Sequence, residues 1–171
     1  STRVSVVDIN SFEFEKTITV SLNPNYIYSD SDGDVYVICM SDYSDDKSYI
    51  VQRIDAKTDE VKTVEGIKAY KMTVADDIAY IMFNDYYANE VKYYKYDLKN
   101  EKLLSDNFIT DGTVVSSPNG IGVDPVTGDI YVGKSNKKNN GDVYVFSSEG
   151  KLKSQFETLP YPADFVFMTN K

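Results

Sequence analysis

An all-β fold made of repeated four-stranded units is what this sequence predicts, and three observations carry that expectation. A module recurs four times, reading VSVVDINSFEFEKTITV from Val4, YIVQRIDAKTDEVKTV from Tyr49, VKYYKYDLKNEKLLSDNFI from Val91 and GDVYVFSSEGKLKSQFETL from Gly141. Aligned on Asp8, Asp55, Asp97 and Ser147, the copies step by roughly 40–50 residues, the period of β-propeller blades. Between them runs a second pattern, PNYIYSDSDGDVYVICM from Pro24, AYKMTVADDIAYIMF from Ala69 and PNGIGVDPVTGDIYVGKS from Pro118. Each of these sets two apolar stretches around a turn rich in Asp or Gly, which is a hairpin signal.

With the four strands of a blade labelled a to d from the axis outward, the elements follow in order. The chain opens on a c-d pair within 4–20, where charged and apolar residues alternate, as in Glu13-Phe14-Glu15, to suit one wet face. Full a-b-c-d blades are expected over 24–64, 69–109 and 118–159. PADFVFM from Pro162 predicts one more a strand over 162–168. The a strands at Tyr26–Ser29, Met72–Ala75, Ile121–Val123 and Phe165–Met168 carry unbroken apolar or small runs, which predicts burial on both faces. Tyr36, Tyr80 and Tyr131 fall at the same place in the b strands. No helical periodicity persists beyond a turn or so.

The tally describes about four blades, half of a seven- or eight-bladed propeller. A lone c-d pair and a lone a strand leave costly open edges. A second copy of the chain, or a missing N-terminal half, is therefore expected to complete them. The absence of an initiator Met reads as a mature or truncated product.

Composition narrows the function classes. The chain has 171 residues, with 18 Lys and Arg against 27 Asp and Glu, a net charge of −9. That balance argues against nucleic acid, whose phosphates need clustered cations. The single cysteine, Cys39, excludes an internal disulfide, and its place in VYVICM predicts a buried, inert thiol. No apolar run approaches the length of a transmembrane segment. There is no His, so neither a Ser-His-Asp nor a Cys-His pair can be assembled, and no His-ligated metal is available. The run Asp30-Ser31-Asp32-Gly33-Asp34 invites a calcium reading, but Val35 and Ser41 stand where an EF-hand needs its Gly and Glu. Turn chemistry accounts for it, and no metal site or cofactor is expected.

The remaining anomaly is aromatic: 15 Tyr and 8 Phe with no Trp. Most Tyr sit in strands, where the ring packs and the hydroxyl reaches water. The others cluster in connections: Tyr43 in SDYSDDKS, Tyr86 and Tyr87 in NDYYANE, Tyr70 before an a strand and Tyr161 between two prolines. The b–c loops at 41–48, 84–90 and 135–141 are expected to share a face with the d–a connections around Asn25, Tyr70, Asn119 and Tyr161. Asn136 and Lys137 in the third loop add donors. These nine residues form the expected ligand-binding set, and the acidic a–b turns fall on the opposite face.

The motif Asn119-Gly120-Ile121-Gly122-Val123-Asp124-Pro125 leads into Gly128-Asp129-Ile130-Tyr131-Val132, Gly141-Asp142-Val143-Tyr144-Val145-Phe146 and Gly150-Lys151-Leu152. This pattern resembles the YncE-like propellers, a branch of the surface-layer and NHL-type family. The texture, rich in Tyr, Asp and Asn, is similar to the extracytoplasmic propeller lipoproteins of Bacteroidetes, among them vitamin B12-capturing surface proteins. The resemblance implies a cell-surface or periplasmic location and a non-catalytic module that binds a small molecule or a surface protein. Capture of a corrinoid, a calcium-dependent lactonase-like hydrolase and a structural part in a surface complex stand as alternatives. The matched positions are structural, so they identify the scaffold and not the ligand.

Overall fold

The computed structural model of the chain describes residues 1–41, 49–85, 90–136 and 138–168. They form two compact units, Ser1–Ala69 and Tyr70–Lys171. Among the described residues there is no helix, and fourteen strands build one two-stranded and three four-stranded sheets.

In the first unit, β1 (Arg3–Val7) pairs with β2 (Phe14–Thr19). Strands β3 (Pro24–Ser29), β4 (Val35–Cys39), β5 (Ile50–Ile54) and β6 (Val61–Lys68) make a four-stranded sheet in sequence order. The second unit holds the sheets β7 (Lys71–Ala75), β8 (Ile78–Asp85), β9 (Glu90–Asp97), β10 (Lys102–Ser105) and β11 (Pro118–Val123), β12 (Ile130–Asn136), β13 (Asn139–Phe146), β14 (Leu152–Thr158). Every ladder between these strands is antiparallel and joins consecutive strands, as the blade pattern predicts, and one isolated parallel bridge links Tyr93 to Asn107.

The aligned acidic positions cap the c–d turns. Asp8 accepts from the N–H groups of Asn10 and Ser11, Asp55 from Lys57 and Thr58, and Asp97 from Asn100. Ser147 takes the same role through its hydroxyl, which accepts from Glu149 N–H. Each such turn then needs a left-handed residue, filled by Phe12, Asp59, Glu101 and Gly150. Asp30 caps its a–b turn by accepting from Asp32 and Asp34 N–H, and Asp34 is held by Arg53 and the Ala56 N–H. These carboxylates are therefore turn formers.

Four expectations need correction. Burial on both faces holds for the a strand at Ile121 to Val123 but not for β3, which alternates and leaves Ile27 57 % exposed, while the b-strand residues Tyr36 to Cys39 and Ile81 to Phe83 are almost fully enclosed. The β1–β2 sheet has no inner strand of its own to cover β3. Residues 162–168 form no ladder, because no described segment pairs with them. They lie instead across the inner part of the β11–β14 sheet. A Cβ on Gly133 would collide with Pro162 O, and one on Gly122 would stand 2.7 Å from Phe165 Cβ. Only glycine admits that approach. Strand β10 stops at Ser105, short of the expected 109, because the Ser105 hydroxyl bonds both main-chain groups of Asn107 and turns the chain. Strand β6 runs past 64 to Lys68, through a bulge that carries Gly66 at φ 76°.

The first unit packs Val20, Val37, Cys39 and Ile54 together. The larger core of the second unit gathers Tyr80, Met82, Tyr93, Val132, Tyr144 and Phe146 around Phe108.

Candidate functional site

The connection 106–117 between β10 and β11 is the longest in the described chain that is not a strand, and it is not a simple crossing. Phe108 N–H bonds Tyr93 O at 2.8 Å, which tucks the chain against β9. The Phe108 ring meets Tyr80, Tyr93 and Phe146 edge-on, at centroid distances of 5.5, 5.5 and 6.4 Å. Edge-to-face contact of this kind adds to the apolar burial. Thr110 then bonds the turn after β13, its N–H to Gly150 O and its hydroxyl to Glu149 O. The Asp111 carboxylate accepts from Leu152 and Thr113 N–H, and these bonds hold its pKa below the usual carboxylate value. The chain returns through buried Val115, whose carbonyl accepts from the Tyr93 hydroxyl at 2.8 Å. Burial, and secondarily Tyr144, push the Tyr93 phenol well above its ordinary range, so it stays a hydrogen-bond donor.

Between this looped connection and β9 lies a groove of about 350 Å³. Val91, Tyr93, Ile109 and Val114 give it apolar walls, and Asn107, Thr113 and Ser116 supply neutral polar groups. Val114 is 81 % exposed at its lip. Among the described residues, no carboxylate or ammonium lines it. The groove sits at the end of the β7–β10 sheet where β9 begins and β10 leads away. That is the end carrying the b–c and d–a connections of this blade.

The residues expected from sequence are dispersed. Asn119 donates its Nδ2 to the carbonyl of Pro162, the residue after Tyr161, at 3.5 Å. Tyr161 is 56 % exposed and holds a left-handed φ of 60°, as do Asn23 and Ser117 before the equivalent prolines, so its backbone makes a corner. In the third b–c loop, Asn136 pairs with Asn139. The Asn136 amide is consumed in bracing it, bonding Asn140 O and Asp142. Tyr70 packs on the core of the second unit. Asn25 borders a separate cleft of about 170 Å³ in the first unit, with Arg3, Tyr26 and Ile27. Tyr43, Tyr86, Tyr87 and Lys137 lie outside the described residues. Of the expected residues that are described, none lines the 350 Å³ groove. The signal that could have found it is the spacing between Ser105 and Pro118, since long connections in compact domains are disproportionately functional.

Among the described residues, no three Asp, Glu or Cys side chains converge in a way that could hold a metal ion. Among the described residues, no helix is long and apolar enough to cross a membrane.

No family model matches the chain, and no curated protein matches it in sequence. Solved structures do. The chain is similar to the Dos1 propeller at a TM-score of 0.66 and 12% identity, covering 95% of this chain and 44% of that one. It is similar to TolB from Acinetobacter baumannii at 0.63 and 15%, covering 93% and 38%. It is similar to a chain of the nidogen/laminin complex at 0.59 and 15%, covering 95% and 62%. At such identities the likeness concerns the fold alone. The chain is an all-β propeller segment that spans less than two thirds of each of these structures.

Proposed function

We propose that this propeller segment is a non-catalytic binding module acting outside the cytoplasm, and that the groove between β9 and residues 106–117 is its contact point. The single observation that carries the reading is the groove itself. Its volume of about 350 Å³ falls within the range of small-ligand sites, and its walls combine apolar side chains with a few neutral polar groups. Such a lining suits an uncharged ligand group, or an apolar side chain of a protein partner. Among the described residues, the one phenol lining it, Tyr93, is held protonated and no acid–base pair faces it, which favours binding over catalysis. The narrower reading, a YncE-like surface lipoprotein of the Bacteroidetes kind that captures a corrinoid, rests on the residue resemblance and on no feature of the groove.

A thermal-shift panel containing cobalamin and common surface glycans tests this, because a ligand that binds only the native state must raise the melting point. The second arm uses Val114→Asp, which sets a charge at the lip without touching buried Val115. A compound that stabilises the parent chain is expected to lose most of its effect on this variant. Unchanged stabilisation of a folded Val114→Asp protein would remove the groove from consideration.

A further inference from the structure

The outermost strands of the sheets differ in how they meet solvent. Strand β10 is four residues long, and its pairing slips between Leu103 and Ser105. The bulge in β6 carries Gly66. Shortness and bulges are the devices by which natural sheets blunt a free edge. Strand β14 lacks both over most of its length. It pairs with β13 in unbroken register from Gly141↔Thr158 to Val145↔Ser154, and no described strand pairs with its outer side. Leu152 to Glu157 are all exposed, including Leu152 at 38 % and Phe156 at 49 %.

The order of residues in β14 makes it complementary to itself. Laid antiparallel to a copy about Gln155, Lys153 falls opposite Glu157 on both sides of the axis, Ser154 opposite Phe156, and Leu152 opposite Thr158. Opposite charges directly across a strand pair stabilise it, and the diagonal neighbours bring the two Phe156 rings within reach. The side chains are already arranged for this. Lys153 bonds Asp129, Gln155 bonds Asp142, and Glu157 accepts from Asn140, so all three lie along one face while Phe156 stands on the other. Strand β2, which also lies at the outside of its sheet, fails the same comparison. An axis at Glu15 or Lys16 sets like charges face to face, and one at Thr17 joins no opposite pair.

We propose that β14 is an interaction surface for a second copy of this chain. The two strands pair antiparallel about a two-fold axis at Gln155, and the sheet continues from one copy into the next. Contact of this kind is isologous, so each copy donates and receives the same Lys153 and Glu157 pairing.

Sedimentation velocity of the full chain over a concentration series tests the proposal. A monomer–dimer equilibrium is expected. Lys153→Glu and Glu157→Lys each turn two attractive pairs into repulsive ones, which is expected to weaken the dimer roughly tenfold. The double exchange Lys153→Glu/Glu157→Lys restores the pairing and is expected to recover it. Gln155→Lys leaves both ion pairs in place but sets like charges on the axis, and is also expected to weaken the dimer. It keeps the test decisive if Lys153→Glu fails to fold. A chain that stays monomeric throughout, or a dimer indifferent to all of these changes, overturns the proposal.

Discussion

Gly150→Ala probes how the wall of the groove is held. Gly150 has φ 79°, and an ideal Cβ there would overlap Phe108 O outright and lie 3.2 Å from Thr110 Cγ2. Two costs therefore add. A left-handed non-glycine residue costs about 1–2 kcal/mol. Pushing the 106–110 backbone aside costs roughly 1–3 kcal/mol more, as overpacking does. The stiffer unfolded chain returns about 0.4–1 kcal/mol. The net expectation is a loss of about 1–4.5 kcal/mol. Gly128 is the control, because its φ of 72° is similar but its nearest neighbour, Ser148 Cβ, would be 3.7 Å away. Gly128→Ala carries only the backbone term and is expected to cost about 1 kcal/mol or less. Urea unfolding of both variants, with unchanged m-values, measures the difference. Equal losses for the two would refute the account of 106–117 as a segment pinned against the turn after β13.

Four further outcomes are expected. Cys39 is fully buried and its thiol is pushed up to about 11 by burial, so native protein should resist thiol reagents that label the unfolded chain at once. Its raised value also means that the unfolded chain loses this proton first. Stability should thus fall between about pH 9 and 11, by up to about 1.4 kcal/mol per pH unit, and fall less steeply in Cys39→Ala. At the acid end, Asp8, Asp55 and Asp97 have folded values held below 3.8 by turn N–H and side-chain donors. Their contribution is complete above that value and is lost as pH falls through the folded values, which a melting-temperature series below pH 4 would show. Lys71→Met should release residues 162–168, since the buried Lys71 ammonium bonds Ala163 O and Asp164 at 2.7 Å each. Faster proteolysis within that segment, with the rest of the chain intact, is the expected readout.

The fold was legible because its repeating parts are local. Asp8, Asp55 and Asp97 recur because each c–d turn needs an acceptor at that point, and an apolar run follows each hairpin turn because the b strand is enclosed. What failed to show were the features set by neighbouring segments. Phe108 and Ile109 continue the apolar pattern of a d strand, and only the Ser105–Asn107 turn diverts them into the core. Asn136 reads as a free donor in sequence, but its acceptors, Asn140 and Asp142, come from the other arm of its own hairpin. The groove was hidden for the same reason. Its residues, from Val91 to Ser116, are ordinary individually and become a site only when the connection folds back on β9.

The central claim, that this groove is where the chain makes contact, is most directly tested by mapping amide shifts while titrating isotope-labelled protein with small uncharged probes, phenol and isopropanol. Probes of this kind collect where apolar walls and a few polar groups converge. The account predicts saturable shifts concentrated at Val91, Asn107, Ile109, Thr113 and Val114, with the cleft beside Asn25 little affected. Shifts concentrated at that cleft, or spread evenly over the exposed strands, would contradict it.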